Sequence, residues 1–153
     1  MEENVYTFEE EYWRTGGNTG TLPDHITPSQ VNVLKDGEIF VFGSNAKGAH
    51  MGGAARVAME KFGAIWGQGE GLQGQSYAIP TMEGLENIKA AVDRFGQFAH
   101  DHKELSFYVT AIGCGIAGYT PEEIAPFFYD AGSLRNVYLP VSFWKVIMGL
   151  HRK

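Results

Sequence analysis

Two glycine-rich stretches hold the residues that could do chemistry. The first, GSNAKGAHMGGAA from Gly43 to Ala55, places Asn45, Lys47 and His50 among Gly43, Gly48, Gly52 and Gly53. The second, GCGIAGYT from Gly113 to Thr120, carries Cys114 and Tyr119. A carboxamide such as that of Asn45 both donates to and accepts from sugar hydroxyls. Histidine is the side chain best suited to proton transfer near neutral pH, which makes His50 a candidate general base. Lys47 would meet a phosphate as a point charge, and a thiol such as Cys114 near a helix start lies where a thiolate is stabilised. Helix starts leave N–H groups unpaired, and glycine lets an anion approach them. The combined chemistry is recognition of phosphate and sugar. Plainer readings stand beside it: Asn45 tied to its own loop, His50 and Lys47 as surface residues, Cys114 as a small loop residue, and glycines that only make turns. Two such loops in matching positions favour the ligand.

The elements that must position these loops can be read from hydrophobic spacing. GEIFVFGSN is a short buried strand introduced by a turn at Asp36-Gly37. GAARVAMEKFG carries Ala54, Val57, Ala58 and Phe62 at helical spacing and stops at Gly63. The middle of AIWGQGEGLQGQSYAIP is too glycine-rich for a regular element, and its end, SYAI before Pro80, is a strand. GLENIKAAVDRFGQFAHDH is a helix, LSFYVTAI a strand, and PEEIAPFFYDAG a helix opened by proline and shortened by Pro126. NVYLP is a further strand and VSFWKVIMGLHRK a terminal helix. TFEEEYW fits a strand or a short helix, and RTGGNTGTLPDHITP is a loop. Strands alternating with helices predict the α/β class, a three-layer α/β/α sandwich around a mixed, largely parallel sheet. Such sheets bind ligands beyond the carboxyl ends of their strands. Both glycine loops follow a strand and precede a helix, so both should open on one edge.

Composition bounds the alternatives. The 153 residues fit one domain, 1–153, with residues 1–30 as an N-terminal extension of open structure. Ten Phe, seven Tyr and three Trp argue against global disorder. The formal charge of −6 argues against sequence-blind nucleic-acid binding, which needs a basic face. One cysteine cannot form an internal disulfide, no Cys/His cluster has zinc-site spacing, and no cofactor or metal is expected. No stretch approaches the ~20 apolar residues of a membrane span, and no secretory signal pattern opens the chain; a cytoplasmic protein without membrane partners is expected.

GEGLQG, Gly69 to Gly74, fits the dinucleotide pattern G-x-G-x-x-G but precedes a strand, which excludes that role. GCGIAG, Gly113 to Gly118, fits it in the right strand-to-helix context and supports an NAD-binding oxidoreductase as an alternative. It lies late in the chain, and no acidic residue ends the following strand to hold a ribose. Taken together in order, GSNAKGAHMGGAARVAM and VTAIGCGIAGYTPEEIA resemble the two ligand loops of macrodomains, with the similarity running from about Glu38 to Pro140. Macrodomains are α/β/α modules that bind ADP-ribose, and some hydrolyse its linkages to proteins or phosphate.

The resemblance implies a partner, ADP-ribose or an ADP-ribosylated molecule, and a set of residues. Asn45 matches an asparagine near the distal ribose, and Gly52 and Gly53 match glycines beside it. Gly113, Cys114, Gly115, Ile116, Ala117, Gly118 and Tyr119 match the loop around the diphosphate, with Tyr119 flanking the ribose or closing the cleft. Asp24 is similar in setting to an adenine-binding aspartate. Two hydrolytic branches carry an aspartate where this chain has Ala55 or Ala117, and Thr120 stands where the second loop usually has proline. A water would then be activated by the ligand's own phosphates, by His50 or by Glu70. Gln68, Glu70, Gln73 and Gln75 are candidates for a polar cleft wall. ADP-ribosyl hydrolysis, or phosphate removal from the 1″ position, therefore stands against recognition without turnover.

Overall fold

The computed structural model describes residues 23–152. Five strands, β1 (Glu38–Ser44), β2 (Gly71–Gln73), β3 (Ser76–Pro80), β4 (Ser106–Val109) and β5 (Val137–Tyr138), form one sheet in the order β2-β3-β1-β4-β5. β1 pairs in parallel with β3 and β4, β4 in parallel with β5, and only β2 runs antiparallel, to β3. The sheet is therefore mixed and largely parallel, as alternating strands and helices require. Beyond β5, Ile26 bridges Leu139 in parallel, so the segment around Asp24 lies at the far edge of the sheet. The TFEEEYW stretch falls outside the described residues.

Side chains of β1 alternate between two cores, as the period of a strand demands. Phe40 and Phe42 pack with Ala55, Ala58 and Phe62 of α1 (Gly53–Lys61) on one face. Ile39 and Val41 point to the other, where Ile88, Val92 and Phe95 of α2 (Leu85–Asp101) pack with Phe143, Trp144 and Ile147 of α4 (Val141–Arg152). The short α3 (Pro121–Ile124) continues as a 3₁₀ turn, Ala125–Phe128, on that second face. Pro126 accounts for the change, since it cannot donate an α-helical hydrogen bond. One strand is not foreshadowed by hydrophobic spacing: β2, three residues within the glycine-rich segment, held as a hairpin on β3. No described helix is long and apolar enough to cross a membrane.

This arrangement sets the site. The chain leaves β1 for α1 on one face of the sheet and leaves the adjacent β4 for α3 on the other. Two neighbouring parallel strands whose connections diverge to opposite faces leave a crevice at their carboxyl ends.

Candidate functional site

A cleft of about 590 Å³ opens at that crevice. It is lined by the first loop (Ser44, Asn45, Ala49 and Met51 to Ala55), the second (Thr110 to Gly113, then Gly115, Ile116 and Ala117) and the turn after β3 (Thr81, Met82). The two glycine loops thus meet in one hollow. Ile116 reaches across it: its Cδ1 lies 3.7 Å from where a Cβ on Gly52 would sit. Met51, Met82 and Ile116 come from three different connections, and each leaves half or more of its surface in water (70, 50 and 79%). They give the cleft an apolar rim.

The two helix starts differ. No side chain caps α1, and its first turn holds no acid. Among the described residues, the N–H groups of Gly52, Gly53, Ala54 and Ala55 have no hydrogen-bond partner, nor do those of Gly113, Gly115, Ile116 and Ala117. All eight residues line the cleft. The start of α3 is closed: Thr120 Oγ1 accepts from the Glu123 N–H at 3.3 Å, and Glu123 Oε1 accepts from the Thr120 N–H at 2.9 Å. This capping box fills the position an anion would take, so the expected second helix-start cradle is corrected to a loop of free amides ahead of a sealed helix.

Side chains offer the cleft little. Asn45 accepts from the Ala49 N–H at 3.0 Å and donates to the Ala49 carbonyl at 3.2 Å, so its amide is tied to its own loop and keeps one donor and one acceptor site free. The hydroxyls turn inward: Thr110 donates to the Val41 carbonyl at 2.8 Å, Thr81 to Ser44 at 3.2 Å, and Ser44 to Gly69. His50 does not line the cleft. It is fully buried, edge-on to Phe42 with ring centroids 5.2 Å apart, and neither ring nitrogen has a partner among the described residues. A base must face the ligand it serves, and His50, with no exposed surface and no place in the cleft lining, does not, which corrects its assignment as a general base. Glu70 is also taken, by a two-pronged contact with Arg94 at 2.6 and 2.9 Å.

Other residues expected at the site from the sequence lie elsewhere. Cys114 faces away from the cleft lining and packs against the main core. Burial and the nearby carboxylates of Glu122 and Glu123 push its thiol pKa up, the reverse of what a nucleophile needs. Tyr119 packs on the same core, and its N–H closes the loop onto the Gly113 carbonyl at 2.8 Å. Gly118 turns the chain with φ +83° and donates to Gly115 at 3.0 Å. Asp24 does not line the cleft, nor do Gln68, Gln73 or Gln75; Gln73 is buried and accepts from the Ile65 N–H at 2.7 Å.

The glycine-rich segment proves to be a brace for the first loop. Gly67 donates to the Gly48 carbonyl at 2.9 Å, and the Ser44 hydroxyl holds the Gly69 carbonyl. A Cβ on Gly69 would collide with the Asn45 carbonyl oxygen, and one on Gly48, which also has φ +69°, would strike the backbone of Gln68. The three glycines that give GEGLQG its dinucleotide-like spacing have separate causes: Gly69 is pressed against the first loop, Gly74 against Gly63, and Gly71 turns the chain with φ +97°. The lining residues Thr81 and Met82 are additions to the set expected from the sequence. Their signal is the end of SYAIP, which is followed by a turn on the same strand edge. No protein-family model matches the chain, and no curated protein is significantly similar to it.

Proposed function

We propose that the cleft binds ADP-ribose or a closely related nucleotide diphosphate and does so without side-chain catalysis. One observation carries this reading: among the described residues, eight peptide N–H groups without a hydrogen-bond partner belong to residues lining a single cleft, and none of those lining residues has a titratable side chain. Peptide N–H groups at a helix start are suited to phosphate oxygens, and the volume falls within the range of small-ligand sites. The apolar rim suits the face of a base or sugar, and the free half of the Asn45 amide suits a ribose hydroxyl. Hydrolysis would need a base, and none of the described lining residues supplies one; the ligand's own phosphates are the candidate for that role. The oxidoreductase alternative is weakened by the Thr120–Glu123 box, which seals the helix that a dinucleotide fingerprint must leave open.

Calorimetry of the purified protein with ADP-ribose and NAD tests the reading, followed by an ADP-ribosyl-hydrolase assay. ADP-ribose should bind and remain intact. Gly52→Val should abolish binding in a folded protein, because a Cβ there makes only an ordinary contact, with Ile116, while the added side chain takes up cleft space. Failure to bind ADP-ribose, or tighter binding of NAD, would overturn the proposal; turnover would overturn its non-catalytic part.

A further inference from the structure

We propose that the groove between α3 and α4 is a self-association surface, in which α4 of a second copy of this chain lies antiparallel to α4 of the first. The inference concerns a different face from the ligand cleft and does not depend on what binds there.

The groove has a volume of about 520 Å³, with Pro121, Glu122 and Pro126 on one bank and Lys145, Val146 and Leu150 on the other. α4 buries Phe143, Trp144, Ile147 and Met148 on its inner face, while Val141 and Leu150, near its two ends, stay 38 and 44% exposed. Gly149 keeps the groove open. It sits inside a helix, where glycine is the weakest former after proline, and a Cβ there would meet nothing within 4 Å. Ser142, two turns earlier on the same side, is also small and also lines the groove. An antiparallel copy of this face, with a two-fold axis near Val146, sets Leu150 of each helix over Ser142 of the other. Charge selects a second copy as the occupant. The banks carry opposite charges, and neither Glu122 nor Lys145 forms an ion pair among the described residues. A partner of one sign would be repelled by one bank. In a two-fold contact each residue meets the other's counterpart, so Lys145 of each copy faces the partner's Glu122 and both charges are met at once. A helix of this length spans only about 18 Å, so the contact is small against the roughly 1,200–2,000 Å² of a stable complex, and the dimer is a weak one.

Sedimentation velocity of the full chain tests this over a concentration series from about 5 to about 500 μM. The chain should pass from monomer to dimer with a Kd of about 100 μM. Lys145→Glu and Glu122→Lys should each weaken the dimer by about tenfold or more, because like charges then face each other across the axis. Mixed one to one, these two variants should dimerise again with a Kd within about threefold of the starting protein, since every contact between unlike copies is then a pair of opposite charges. Gly149→Gln should fill the groove and abolish the dimer without lowering the melting temperature, because glutamine is the better helix former. A chain that stays monomeric at the highest concentration overturns the proposal. So does a dimer that neither Lys145→Glu nor Gly149→Gln weakens, which puts the contact on another face. A mixture of the two charge variants that remains monomeric overturns it as well, because the Lys145–Glu122 pairing is then wrong.

Discussion

The first and second glycine loops have the same formal plan, a parallel strand that runs through glycines into a helix, yet they are stabilised in opposite ways. The first is braced from outside. The segment Gly67–Gly69 lies against it backbone to backbone, and the start of α1 beyond it carries no side-chain cap. The second is closed from inside, by the Tyr119-to-Gly113 hydrogen bond and by the Thr120–Glu123 box at the start of α3. A helix start can serve its own stability or stay open for a ligand. The molecule does one on each wall. Glycine therefore serves two ends: at Gly48, and at Gly69 of the brace, it permits contact between backbones, while at Gly53 and Gly115 nothing lies within 4 Å of a Cβ and the space is the cleft's.

Substitutions on each side sharpen that contrast. The largest effect is expected from Gly69→Val, whose rigid Cβ would displace the Asn45 carbonyl; stability should fall by about 3 kcal/mol in urea unfolding, with loss of ADP-ribose binding. A stable, binding-competent variant would show that the brace is dispensable. Gly115→Val should abolish binding yet hold stability to within about 0.5 kcal/mol, because its side chain enters open space. Equal destabilisation by the two variants would erase the distinction between the loops. Thr120→Ala should cost about 1 kcal/mol of stability through the lost cap and change affinity less than about twofold; a large affinity change would place the sealed helix start in the site after all. The smallest effect is expected from Glu70→Gln. It breaks an ion pair whose Arg94 side chain is mostly exposed, so the loss should stay below about 1 kcal/mol and shrink in high salt.

Much of this fold can be read from hydrophobic spacing, and the reasons for the exceptions are physical. β1 and α2 announce themselves because one is a continuous apolar run and the other repeats Ile88, Ala91, Val92, Phe95 along one side. The common edge of the two loops follows from strand-to-helix order alone. β2 gives no such signal, because three residues containing a glycine have no periodicity to detect; its pairing with β3 defines it. His50 resists the same reading because a loop position gives no sign of burial, and its place against Phe42 is a tertiary fact. The sealing of α3 is present in the sequence, since Thr120-Pro-Glu-Glu123 is a T-x-x-E signature at a helix start, but reading that loop by its glycines alone passes over it. The split among Cys114, Tyr119 and the lining residues Gly115, Ile116 and Ala117 depends on which way successive residues of one turn point, which a motif does not encode.

The cleft's walls come from distant parts of the chain, and they meet only when β4 seats beside β1. A nascent chain that ends before Ser106 contains the first loop and its brace but has nothing opposite them. Ligand capture must therefore wait until the later strand has been made and docked, and no early folding intermediate can be rescued by the small molecule. Once docking is complete, any compound held between the walls clamps the two central strands together and favours the assembled state by mass action.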